Sequence, residues 1–141
     1  SFRIASPKGY QAQEAILNRA REFARVSGAE ILCTEDPRQA VAGADVVYTD
    51  VWASMGQEAE AAERRLVFAD YQVDSKLLSL AKEDAILMHP LPAHHGEEVA
   101  ENILYAEQSV VFDQAENRLH AQKALLADML GGLEISLPDY R

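Results

Sequence analysis

The stretch Met88-His89-Pro90-Leu91-Pro92-Ala93-His94-His95-Gly96-Glu97-Glu98 concentrates the groups of this chain that can do chemistry. An imidazole exchanges protons near neutral pH, and a carboxylate holds a cation or takes a proton. The apolar run Ala85-Ile86-Leu87-Met88 stands before it and reads as a buried strand. Prolines at positions 90 and 92 fix φ and remove backbone donors, so the segment neither extends a ladder nor opens a helix freely. The expected result is a stiff loop at the carboxyl end of a strand, with His89 at its mouth. In α/β proteins ligands bind at such ends. A second place has the same form: Val46-Val47-Tyr48-Thr49 ends at Asp50, followed by Val51-Trp52-Ala53-Ser54-Met55-Gly56. A site is expected between the two loops.

The elements that must position these loops alternate in type. Phe2–Ala5 reads as a strand, closed by Ser6-Pro7-Lys8-Gly9. A helix is expected over Ala12–Ser27, with Ile16, Ala20, Phe23 and Ala24 as its apolar stripe and Gly28 as terminator. Glu30–Cys33 is the next strand. Asp36-Pro37 caps a short helix to about Val41. The strand Val46–Thr49 follows, then an alanine-rich helix over Glu58–Arg65 and a helix capped by Asp74 through Ala81. After the strand Ala85–Met88, a helix is expected near Glu97–Asn102 and a short strand at Val110–Phe112. The last helix is expected to start at Asp113, with Glu116 completing a capping box, and to end at Gly131-Gly132. Leu119, Leu126, Met129 and Leu130 would form its apolar face. Strands alternating with helices predict an α/β, doubly wound parallel sheet of Rossmann-like type in three layers, with right-handed crossovers.

Composition narrows the function classes. A chain of 141 residues, 48% apolar and 26% charged, suits one globular domain with a real core. A net charge of -10 argues against nucleic acid or anionic membrane as partners. One cysteine, Cys33, permits no intrachain disulfide, favours a cytoplasmic setting, and is expected to be buried. No apolar run has membrane-spanning length. No Gly-x-Gly-x-x-Gly or Walker-type loop is present, so a nucleotide site would rest on fold analogy alone.

Each candidate residue also has a plain structural reading. Asp50 can cap a turn, Ser54 and Met55 can be ordinary loop residues, and His89 can be a satisfied buried histidine. Arg118 can form a surface ion pair, and Pro90 can be structural, with a cis bond nearby. Lys8 and Tyr10 either line the site mouth or serve a turn. His94, His95, Glu97 and Glu98 match no standard zinc spacing and read as a solvated loop with acids at a helix N-terminus. No metal and no cofactor is expected.

Four segments, taken together, carry a resemblance. Asp50-Val51-Trp52-Ala53-Ser54-Met55-Gly56 resembles the Asp-x-Trp-x-Ser-Met-Gly motif of ornithine carbamoyltransferases. Pro7-Lys8-Gly9-Tyr10, His89-x-Leu91-Pro92 and Glu116-Asn117-Arg118 resemble that family in the same order, and Phe112–Arg118 is similar to its closing segment almost residue for residue. The resemblance covers nearly the whole chain. It implies an enzyme in which the δ-amine of L-ornithine attacks carbamoyl phosphate, giving L-citrulline and phosphate. It implies that Asp50, Ser54 and Met55 bind ornithine, that His89 and Pro90 sit beside the reacting centre, and that Leu91 (through its backbone) and Arg118 contact the carbamoyl group. The catalytic set so implied is His89, Asp50 and Arg118. A homotrimer is implied as well.

General chemistry agrees with those roles. An alkyl amine with a pKa of about 10.4 must lose a proton before it attacks. A carboxylate can hold the cation, and a guanidinium can stabilise the developing oxyanion. Holding two substrates in line can supply roughly 7–11 kcal/mol.

The chain departs from the family pattern in three respects. Pro90 stands where a cysteine is common, so any proton handling there is absent or passes to Asp50, His89 or water. His-Pro-Leu-Pro also resembles the loop of aspartate carbamoyltransferases, although Ser54-Met55-Gly56 favours ornithine. His95 stands where an arginine is frequent. No Ser-x-Arg-Thr phosphate loop occurs, nor the Gly-Asp-Gly-Asn-Asn strand that opens the family's second domain. The expectation is therefore a partial ornithine-binding domain over residues 1–132 with a tail at 133–141, lacking its first strand and its carbamoyl-phosphate domain, and inactive alone. The alternatives are a carbamoyltransferase for aspartate, putrescine or N-acetylornithine, and a non-catalytic binding module.

Overall fold

The structure, a computed structural model, describes residues 1–53, 56 and 58–131. Ser54, Met55, Gly132 and the expected tail at 133–141 lie outside them. Strand β1 (Phe2–Ala5) pairs in parallel with β2 (Ile31–Thr34), Phe2 opposite Ile31 and Ala5 opposite Thr34. Strand β3 (Val46–Tyr48) pairs in parallel with β4 (Ile86–Met88), Val46 opposite Ile86 and Tyr48 opposite Met88. Helices cross between the strands of each pair: α1 (Glu14–Ser27) in the first, α3 (Ala61–Val67) and α4 (Ser75–Leu78) in the second. Between the pairs lies α2 (Pro37–Val41), and the last element is α5 (Val111–Met129). This is the expected parallel α/β plan, with a difference in how the strands join. The described strands form two separate two-stranded ladders, because β1 and β3 exchange no ladder hydrogen bonds.

The core explains which faces are covered. Val47 and Leu87 are register partners on one face of the β3–β4 ladder, and both are buried. They join Val41, Val73, Leu77, Leu78, Val99, Ile103, Leu104 and Val111 in one cluster. Each fully buried aliphatic side chain there contributes roughly 1.5–3 kcal/mol. The opposite face carries Val46 and Tyr48, which stay exposed. The β1–β2 half is thinner: Phe2 and Cys33 are exposed, which corrects the expectation of a buried cysteine. Helix α2 ties the halves together, packing on β1, β2 and α4, and the Arg3 guanidinium donates to the carbonyl of Ala42 at its end.

Local chemistry sets most helix ends. Asp36 accepts from the Arg38 N–H at 2.9 Å, with Pro37 at the first helical position. Asp74 accepts from the Leu77 N–H at 2.7 Å. Gly28, at φ 76°, closes α1 by donating to the carbonyl of Ala24.

The expected apolar stripes differ. Helix α1 buries Leu17 and Ala24, while Ile16 and Phe23 point outward. Residues seven apart share a face, and the face turned inward is the 17/24 row rather than the adjacent 16/23 row. On α5, Leu119, Leu126, Met129 and Leu130 are all exposed. Only its start reaches the core, through Val111.

Two further expectations are corrected around β4. The segment at 97–102 is not helical, because its backbone groups are spent on Val73: the Val73 N–H donates to Glu98 and the Ala100 N–H to Val73. The strand expected at Val110–Phe112 shrinks to a single bridge between Ser109 and Leu87. Helix α5 then begins at Val111, with Val110 as cap, so the capping box at Asp113 and Glu116 does not form.

Candidate functional site

Parallel pairing brings two motif loops to one edge. Tyr48 and Met88 are register partners, and the Thr49 N–H donates to the Met88 carbonyl at 3.2 Å. Asp50 and His89 therefore leave neighbouring strands at the same carboxyl end. Asp50 is exposed, and its Oδ1 accepts the N–H of Val51 at 2.7 Å, the turn-capping bond its residue type favours.

His89 does not stand open at the loop mouth, as its position suggests; its side chain is fully buried. Both ring nitrogens are engaged. Nδ1 accepts the N–H of Leu91 at 2.9 Å, so the ring hydrogen sits on Nε2, which lies 3.1 Å from Glu98 Oε1 and donates to it. Glu98 is also fully buried, and the same Oε1 takes the N–H of His94 at 2.7 Å. The His89 N–H donates to Gln114 Oε1 at 3.0 Å, which fastens the first turn of α5 to the strand end. Neither nitrogen of His89 is free to take a proton from a bound amine. The ring instead braces the loop from inside. Leu91 is held at φ 54°, a conformation costly for a side chain of its size, and the Leu91–Pro92 bond is cis. Pro90 and Leu91 lie half-buried next to it.

Arg118 lies on α5 four residues after Gln114, so the two share a helix face, and Arg118 is exposed. Gln114 touches the backbone of His89, which sets Arg118 one turn further from the same strand end.

A third loop joins through aromatic side chains. Tyr10, from Pro7-Lys8-Gly9-Tyr10, packs edge-on against Phe68 with centroids 5.0 Å apart, and Trp52 stacks on Phe68 at 6.0 Å. Arg64 lies over the Tyr10 ring at 5.1 Å and donates to the Trp52 carbonyl at 2.9 Å. Its neighbour Arg65 reaches Glu97 at 2.8 Å. Helix α3 thus links all three loops with consecutive arginines. Lys8 is exposed.

Sequence reasoning missed Gln114, Arg64 and Arg65, and it read Glu98, which is fully buried, as a solvated acid. Nothing in their local pattern separates them from surface residues, since each acts on a partner distant in sequence.

The comparisons with known proteins bear on this arrangement. The family profile described as aspartate/ornithine carbamoyltransferase, Asp/Orn binding domain, matches residues 1–129. The chain belongs to that family. It is 58% identical over 127 residues to an ornithine carbamoyltransferase of Anoxybacillus flavithermus, covering 90% of this chain and 40% of the relative. It is 53% identical over 132 residues to that of Thermococcus kodakarensis, covering 94% and 42%. Among solved structures, ornithine carbamoyltransferase from Pyrococcus furiosus superposes with a TM-score of 0.83 at 52% identity, covering 94% of this chain and 42% of that one. The chain therefore spans about two fifths of the length of the relatives it matches. No helix among the described residues is long and apolar enough to cross a membrane.

Proposed function

We propose that this chain supplies the ornithine side of a carbamoyltransferase site, in an enzyme that transfers the carbamoyl group of carbamoyl phosphate to the δ-amine of L-ornithine. The products are L-citrulline and phosphate. The observation that carries the reading is the delivery of Asp50 and His89, the first residues of two motif loops, to one edge of a parallel strand pair. The names of the relatives at 52–58% identity favour ornithine over aspartate as the amine, and so does Ser54-Met55-Gly56.

In this reading Asp50, Ser54 and Met55 hold the amino-acid substrate. The exposed carboxylate of Asp50 attracts its cationic groups. Leu91, through its backbone, and Arg118 contact the carbamoyl group, and the guanidinium stabilises charge on the carbonyl oxygen as the amine adds. Pro90 shapes the wall between them and offers no thiol. His89 acts by positioning: its bond to the Leu91 N–H fixes the loop that meets the carbamoyl group. The amine loses its proton to Asp50 or to water. Carbamoyl phosphate is held by a partner domain, no cofactor is used, and the assembled enzyme is a cytoplasmic homotrimer.

The test is an amine panel with the enzyme carrying this domain and a carbamoyl-phosphate domain. Ornithine should be carbamoylated fastest. Faster turnover of aspartate, putrescine or N-acetylornithine would replace the substrate assignment, and no carbamoyl transfer to any amine would leave a binding module.

A further inference from the structure

His94, Glu97 and Glu98 follow the proline loop, where sequence suggests solvated acids at a helix N-terminus. The fold removes both parts of that explanation. No helix begins there, and Glu98 is fully buried. Its two oxygens fare differently. Oε1 takes the hydrogens of His89 Nε2 and the His94 backbone, while Oε2 is buried with no hydrogen-bond partner among the described residues. A buried carboxylate oxygen left this way is destabilising, since it has given up water for nothing. His94 Nδ1 lies 3.7 Å from it, too far for a hydrogen bond. One potential ligand atom from each of His94, Glu97 and Glu98 lies within 4.8 Å of the other two. The His94 side chain is 52% exposed, which leaves a path from solvent.

We infer that this cluster binds a divalent transition-metal ion of the zinc type, with His94 Nδ1, a Glu97 oxygen and Glu98 Oε2 as ligands and water completing a tetrahedron. The donor set decides the class. One imidazole with two carboxylates suits zinc, whereas calcium and magnesium prefer six or more oxygens. Ligand bonds of about 2.0–2.2 Å require the cluster to contract by roughly 1 Å. The side chains of His94 and Glu97 can supply that movement, because His94 is exposed and the Glu97 carboxylate pairs with the exposed Arg65, while its backbone stays fixed by Gln72 and His94. Glu98 is the fixed point, braced by His89. The His89–Glu98 bond stands directly behind the metal ligand, the usual place for a group that orients one. The site is separate from the ornithine reading and does not depend on it.

Titration calorimetry of the purified protein with zinc chloride tests it. The exposed Cys33 thiol is a competing ligand, so the titrations are repeated in the Cys33→Ser background. Saturable 1:1 binding is expected, weakened tenfold or more by His94→Ala and by Glu97→Gln, and unchanged by His120→Ala. Zinc should raise the thermal midpoint of the unsubstituted protein and leave that of His94→Ala unmoved. Magnesium should give no saturable heat. Absence of 1:1 zinc binding, or equal affinity in the His94→Ala protein, would overturn the inference. The Glu97→Gln titration keeps the test independent of any folding defect in His94→Ala.

Discussion

Asp50→Asn keeps the shape of an exposed side chain and removes its charge. Loss of one charge-assisted contact of about 1.5–3 kcal/mol predicts a KM for ornithine at least tenfold higher in the assembled enzyme. The KM for carbamoyl phosphate should change little. Steady-state kinetics with each substrate varied in turn checks this, and an equal loss for both would contradict the role given to Asp50. Glu98 makes a different case. Truncating it to Ala leaves the buried His89 Nε2–H and the His94 N–H without their acceptor. With both side chains fully buried, stability should fall by about 3–5 kcal/mol, read from urea unfolding at constant m. A loss below about 1 kcal/mol would mean that water or a neighbour replaces the carboxylate. At this scale the residue types at positions 50 and 89 were legible as candidates because each follows an apolar run. The inward turn of His89 was not, because it depends on an acid nine residues away whose burial no local pattern announces.

Helix caps obeyed local rules where the backbone was free to follow them. Asp36-Pro37 and Asp74 mark helix starts in both sequence and structure, since an Asx cap is chemistry within a single turn. The same logic failed at Asp113, where the pairing of Ser109 and Val110 with Leu87 fixed the helix start before a capping box could act. Gly28 offers a clean test of the local rule. A Cβ there meets no atom of the described residues within 4 Å, so Gly28→Ala carries the conformational cost of φ 76°. That cost is about 1–2 kcal/mol. The urea midpoint should fall accordingly, and no change would mean the helix end relaxes.

Lys82 and Asp45 join the turns that precede β4 and β3. The hydrogen bond and charge of Lys82 hold the Asp45 carboxyl below its ordinary value of 3.8, and Asp45 raises Lys82 above 10.5. The contribution of Asp45 is present above pH 3.8 and disappears as pH falls through its lowered value. That of Lys82 is present below pH 10.5 and disappears as pH rises through its raised value. Lys82→Met should therefore shift stability evenly at neutral pH, with the difference from the unsubstituted protein narrowing at both extremes. Both groups are exposed, so 1 M salt, with a screening length of about 3 Å, should shrink the effect. A difference that persists once Asp45 is protonated would assign it to packing instead.

For the molecule as a whole, the order of strands and helices was readable as far as β4, because period-2 and period-3.6 patterns switch cleanly at Gly28, Asp36 and Asp74. The division into two ladders, and the exposure of Ile16, Phe23, Leu126 and Leu130, were not. Apolar spacing reports that a face exists, not whether anything within the chain covers it. Leu126→Glu should accordingly change the unfolding free energy of this chain, read from urea titration, by no more than about 0.5 kcal/mol, the usual range for a surface substitution. A larger loss would reveal a contact that the exposed position does not suggest.

The uneven burial of the two ladders has a dynamic consequence. Leu87 and Val47 are sealed in the cluster, while β1 and β2 lean on α2 and on the short inner row of α1. Opening free energies should thus be graded across the molecule. In deuterated buffer the amide of Leu87 should be among the last to exchange and that of Ile4 should go early, so the half bearing the Lys8 and Tyr10 loop would breathe while the half bearing Asp50 and His89 stays closed.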